Sequence, residues 1–147
     1  MNRDLDPRVH AASPPRWAFG RGALVGFVVG IPTVALSVMV LARLGIGDPS
    51  RSVREVLRLT LIFAGAPLVL TTGGIARVAA RAASAGTAHS WRAGALTGAG
   101  AGPGFMILAA IPIGSLPESS WGWLWYLPAG AVPGAAIGLL IALSVAR

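Results

Sequence analysis

Four apolar stretches alternate with short polar breaks along this chain, and within them the smallest residues recur at a helical spacing. The uncharged runs lie between Arg21 and Arg43, Arg58 and Arg77, Arg92 and Glu118, and Glu118 and Arg147. Each is long enough to cross a hydrocarbon core of about 30 Å, which takes roughly 20 residues at helical rise. The pattern predicts an all-α integral membrane protein with four transmembrane helices, over approximately residues 20–44, 55–78, 92–113 and 122–146. Residues 1–16 mix charges with Pro7, Pro14 and Pro15 and show no apolar period, so they read as a flexible N-terminal tail before a four-helix domain over 17–147. The first run is too long for the core of a secretion signal and lacks a cleavage site with suitable flanks; it is expected to be retained.

Glycine recurs every fourth residue in three of the runs: Gly22, Gly26 and Gly30; Gly94, Gly98 and Gly102; Gly130, Gly134 and Gly138. A fourth, weaker stripe joins Gly65 and Gly73. Residues four apart share a helix face, and a face without side chains lets another backbone approach closely, so these are the expected packing faces. Gly22 to Gly26 and Gly94 to Gly98 also match at a fixed offset, and Ala64-Gly65-Ala66-Pro67 resembles Ala129-Gly130-Ala131-Val132-Pro133. Two helical hairpins therefore read as same-orientation repeats, related by an axis along the membrane normal and packed through glycine-zipper faces.

The breaks carry recognisable stop and start chemistry. Gly45, Gly47 and Pro49 end helix 1. Ser52 and Glu55 fit a capping box, in which each side chain bonds the other's backbone amide, so helix 2 should begin near Val53. Gly86 is its expected stop; helix 3 should start near Trp91, and Pro117, Ser119 and Ser120 form the last link. Every span contains proline, at Pro32, Pro67, Pro103, Pro112, Pro128 and Pro133, which predicts kinks and freed carbonyls. Gly98 to Gly104 gives helix 3 low intrinsic helicity, and a break there would expose backbone to a solute.

Composition supports the membrane reading: 54% of residues are hydrophobic, 12% are charged, and the mean hydropathy is +0.71. The net charge of +7 would suggest nucleic acid in a soluble protein. Here the arginines flank the spans, so membrane lipids and their anionic headgroups are the expected partners and nucleic acid is not. Arg3, Arg8, Arg16, Arg21, Arg77, Arg81, Arg92 and Arg147 fall on one side, against Arg43, Arg51, Arg54 and Arg58 on the other. That two-to-one bias predicts cytoplasmic N- and C-termini in the cell membrane. Trp17, Trp91, Trp121, Trp123, Trp125 and Tyr126 all fall at predicted span ends, where amphipathic rings anchor at the interface. All basic residues are arginine, and Ala, Gly and Pro are abundant, a composition that points to a GC-rich, bacterial coding sequence.

Little in the chain carries chemistry. Cysteine is absent, which excludes disulfides and thiolate sites. Asp4, Asp6, Asp48, Glu55 and Glu118 all lie outside the spans, as do His10 and His89, which disfavours proton coupling, metal binding and a catalytic dyad. Ser37 and Ser144 have no base near them in sequence, and Thr33, Thr71 and Thr72 are expected to bond back to the preceding helical turn. No catalytic, cofactor or metal site is expected. The sequence points to a non-enzymatic membrane scaffold or accessory subunit, forming a homo-oligomer or part of a larger membrane complex. The alternative is a small channel or carrier for a neutral solute or an anion, without proton coupling.

Overall fold

The computed structural model describes residues 16–84, 86–114, 116–117 and 120–146, which form four long helices and, among these residues, no strand. They are α1 (Arg16–Arg43), α2 (Val53–Ala83), α3 (Thr87–Ile113) and α4 (Ser120–Val145), each long and apolar enough to cross a membrane. The predicted tail before Arg16, Glu118 and Arg147 lie outside the described residues.

Local chemistry sets most of the helix ends. α1 closes with Ile46 N–H donating to the Leu41 carbonyl at 2.9 Å and Gly45 N–H to Ala42 at 3.1 Å. Gly45 takes φ 84° and Gly47 φ 128°, conformations that other residues resist. α2 begins on Ser52, whose hydroxyl accepts from the Glu55 amide at 3.3 Å. The reciprocal half of the predicted box is replaced: the Glu55 carboxylate accepts from the Arg51 guanidinium instead. A charge-assisted bond outweighs one to a neutral amide. α3 starts at Thr87, one turn earlier than expected, immediately after Gly86 at φ 118°.

Prolines disturb the helices less than the sequence suggests. α2, α3 and α4 continue through Pro67, Pro103, Pro112, Pro128 and Pro133 without a break in helical assignment. The glycine-rich middle of α3 stays helical because tertiary packing along its Gly94, Gly98 and Gly102 face, rather than propensity, holds it. α1 is the exception. Gly26–Gly30 forms a π turn, with Ile31 N–H donating to the Gly26 carbonyl five residues back. Pro32 has no amide for the Val28 carbonyl, which loosens the ladder at this point. A glycine every four residues also overshoots the 3.6-residue turn, and a wider turn brings Gly26 and Gly30 back toward the same neighbour.

Successive helices run antiparallel. Gly22 lies by Ala76 and Gly30 by Leu68 in the α1–α2 hairpin; Gly94 lies by Ala142 and Gly102 by Gly130 in α3–α4. The α3–α4 contact is the most extensive in the molecule, and α2 touches all three other helices. The larger core cluster gathers Val38, Leu41, Val56, Met106, Ile113 and Tyr126, towards the end that carries the α1–α2 loop. A smaller one, with Ala18, Ala76, Ile141 and Val145, sits at the opposite end.

Most of the buried positions repeat in register. Val56, Thr60, Ala64, Thr72, Ile75, Ala76 and Ala79 of α2 recur in α4, at one fixed offset, as Gly122, Tyr126, Gly130, Gly138, Ile141, Ala142 and Val145. Ala18, Gly22, Gly26, Gly30, Val34, Val38 and Leu41 of α1 recur in α3 as Ser90, Gly94, Gly98, Gly102, Met106, Ala110 and Ile113. The α2–α4 correspondence differs by one residue from the sequence match: Ala64, not Gly65, stands where Gly130 does, while Pro67 matches Pro133.

Candidate functional site

The features to be placed are the glycine faces, and the two hairpins use them differently. In α3–α4 glycine meets glycine. A Cβ at Gly94, Gly98 or Gly102 would fall within 3 Å of the carbonyl of Gly138, Gly134 or Gly130 respectively. A Cβ at Gly134 or Gly138 would strike the carbonyl of Gly98 or Gly94 in return. Gly130 faces the backbone of Pro103, whose nitrogen bears no hydrogen and so admits the approach. Backbone offers no flexible end that could swing aside, so these positions tolerate only hydrogen.

In α1–α2 the glycines of α1 receive larger groups. Gly22 faces the Thr72 carbonyl and Ala76 Cβ, Gly26 the Thr72 hydroxyl and methyl, and Gly30 the Leu68 side chain. The stripe expected on α2 is not a packing face of the same kind. Gly73 is a notch that holds the Phe19 ring, and a Cβ at Gly65 would meet only Leu61 Cδ1 at 3.5 Å and Ile31 Cδ1 at 3.7 Å, ordinary contacts. Gly65 is buried, but nothing there requires a missing side chain. Gly100 and Gly104 face outward, with nothing within 4 Å of either.

The aromatic residues divide. Trp17, Trp91, Trp121, Trp123 and Trp125 are exposed at helix ends, as an interfacial belt requires. Tyr126 is not a belt residue: it is 1% exposed, part of the larger core cluster, with its ring centroid 5.9 Å from that of Trp123. Position in the sequence put Tyr126 beside the tryptophans, but helical phase turns it inward one turn after Gly122.

Besides the Tyr126 phenol, the buried polar side chains among the described residues are the hydroxyls of Thr60, Thr72 and Ser90, and no carboxylate, imidazole or guanidinium is buried with them. Thr72 donates back to Leu68 at 2.8 Å, and Thr33 to Val29 at 2.7 Å, as expected of helical hydroxyls. Between the hairpins, Thr33, Leu68, Thr72, Gly98, Gly102 and Met106 border a cavity of about 30 Å³, room for a water or two. A wider vestibule of about 490 Å³ opens at the loop end, walled by Gly45 to Asp48, Gly114, Leu116, Pro117 and Gly122. Among the described residues no three His, Asp or Glu side chains gather into a metal-binding group.

Charge decorates the ends. The Arg21 guanidinium donates to the Ser144 carbonyl at 2.7 Å in the last turn of α4 and lies 4.8 Å from the Trp17 ring centroid. This link between the first and last helices satisfies an orphan carbonyl at the negative end of a helix dipole. Arg77 covers the Phe19 ring at 4.9 Å, holding it over the Gly73 notch. Neither bridge was visible in the sequence, because the partners lie far apart along the chain. Comparison with family models, curated proteins and solved structures returned no match.

Proposed function

We propose that this chain is an integral membrane packing subunit, a scaffold or accessory component without catalysis of its own, set in the cytoplasmic membrane with both termini cytoplasmic. The observation that carries the reading is the interior: glycine meets backbone along α3–α4, and the buried polar groups of the described side chains are hydroxyls, those of Thr60, Thr72, Ser90 and Tyr126. Such an interior supports rigidity and, among the described residues, buries no acid, base or cation that could bind, relay or react at depth. The recurrence of buried positions supports two hairpins of one design in the same orientation, packed through small-residue faces. Because the interior glycine faces are occupied within the chain, association with further copies or a larger complex uses the outward surface. Native mass spectrometry of the tagged full chain in mild detergent tests this: a discrete multiple of the 14.9 kDa chain, or a fixed ratio to a co-purifying membrane protein, is expected. A purely monomeric, partnerless species would overturn it.

The vestibule between the α1–α2 and α3–α4 loops favours a second reading, a small channel or carrier for a neutral solute or an anion. Below it, Val38, Met106, Ile113 and Tyr126 are packed shut, so transport requires these residues to part. Flux into proteoliposomes across a panel of ions and small solutes decides, with Gly102→Leu as the comparison. Flux above empty liposomes that the variant loses supports a pore, and none above that background removes it.

A further inference from the structure

The two hairpins repeat in register but differ sharply at one place on their outer faces. Arg54, Leu57, Arg58 and Leu61 follow the i, i+3, i+4, i+7 spacing of a single helix face at the start of α2, and all four are exposed. Applying the register that matches the buried positions of α2 and α4, their counterparts are Ser120, Trp123, Leu124 and Leu127. At the depth where one hairpin carries an apolar and aromatic rim, the other carries two arginines. Arg58 is five residues into α2, about 7.5 Å along its axis. A guanidinium beside Leu57 and Leu61 at that depth calls for an anion.

Among the described residues no protein group answers it. Arg51 is engaged by Asp48 and Glu55, so the one carboxylate bordering the Arg54/Arg58 groove is already matched. Arg54 and Arg58 have no ion-pair partner among the described residues. The groove combines Ser52, two free guanidiniums and the apolar sides of Leu57 and Leu61, a polar end running into an apolar one. An amphiphile matches that gradient and a free anion does not.

We infer that the Arg54/Leu57/Arg58/Leu61 face seats the headgroup phosphate of an anionic glycerophospholipid, with its glycerol and acyl chain lying along Leu57 and Leu61. Guanidinium forks bind phosphate oxygens in pairs, and residues four apart on a helix stand close enough to grip one headgroup together. The inference rests on the membrane-spanning reading but not on any assembly role. The seat is local and saturable, unlike the diffuse attraction exerted by the arginines at the other end.

The test is native mass spectrometry of the full chain in detergent with equal amounts of phosphatidylglycerol and phosphatidylcholine of matched acyl chains. Phosphatidylglycerol should be retained preferentially, the preference falling about fivefold for each arginine removed in Arg54→Gln and Arg58→Gln. Arg81→Gln and Arg92→Gln should leave it unchanged. An equal loss in those controls, or an undiminished preference in the double variant, overturns the proposal. So does displacement of the lipid by an equal concentration of inorganic phosphate, which would make the site one for a free anion. Should the double variant fail to fold, a photoactivatable phosphatidylglycerol on the unaltered chain gives the second reading: cross-links should fall within residues 52–61, and cross-links concentrated at the start of α4 contradict it. A chain that stays out of liposomes overturns both this seat and the membrane reading, whereas one that inserts without lipid preference overturns the seat alone.

Discussion

At Gly102 and Gly65 an added methyl group meets opposite surroundings, although both glycines are buried in long helices. At Gly102 it would drive into the Gly130 carbonyl, and at Gly65 it would find ordinary contact distances. Gly102→Ala should therefore destabilise by about 1–3 kcal/mol, the usual cost of overpacking against an immovable neighbour. Gly65→Ala should be neutral or gain up to about 1 kcal/mol from helix propensity. Thermal unfolding of both in one detergent checks the pair, and equal effects would contradict backbone contact at Gly102. Arg21 offers a second test at this scale, since its guanidinium caps the Ser144 carbonyl. Arg21→Gln should speed hydrogen exchange in the last turn of α4 a few-fold, as loss of about 0.5–1 kcal/mol of terminal capping implies. Exchange confined to unchanged rates would reduce that contact to a passing one.

Each helix boundary rests on a few nearby groups, which makes its contribution separable from the bundle. Ser52 caps α2, so Ser52→Ala should cost about 1 kcal/mol while Ser52→Asp keeps the acceptor and the stability. Chemical denaturation in mixed micelles compares them, and indistinguishable values for Ala and Asp would remove the cap from the account. Just upstream, the Asp48 carboxyl is held below the ordinary carboxylate range, first by its hydrogen bonds from Ser50 and then by the Arg51 charge. A depressed folded pKa means the loop's stabilisation is present above the ordinary carboxylate pKa and is lost as pH falls through the lowered value. The Ser50 amide resonance should accordingly titrate with a midpoint below the ordinary carboxylate range, and Asp48→Asn should abolish that titration. A Ser50 shift with a midpoint at or above the ordinary carboxylate pKa contradicts the bond.

For the molecule as a whole, what could be read from the sequence follows from how local each signal is. The four helices long and apolar enough to span a membrane, most of their boundaries, and the glycine spacing of α1, α3 and α4 are written in consecutive residues. The π turn, the inward side of Tyr126, the Phe19 plug in Gly73 and the Arg21–Ser144 link depend on which helix lies alongside, and a single strand of text holds no such neighbour. Orientation is the last property of this kind, because it depends on the membrane as well as the chain. The arginine bias is two to one, with the minority share, Arg43, Arg51, Arg54 and Arg58, gathered in and beside the α1–α2 loop. The absence of cysteine makes single-cysteine labelling clean. Ser50→Cys, exposed in the α1–α2 loop, should react with an impermeant maleimide in intact cells; Ser84→Cys, exposed at the end of α2, should react only after permeabilisation. Reversed accessibilities would invert the proposed orientation and leave the fold intact. Reaction of both from the same side would be incompatible with α2 crossing the bilayer, because those two residues bracket that single helix.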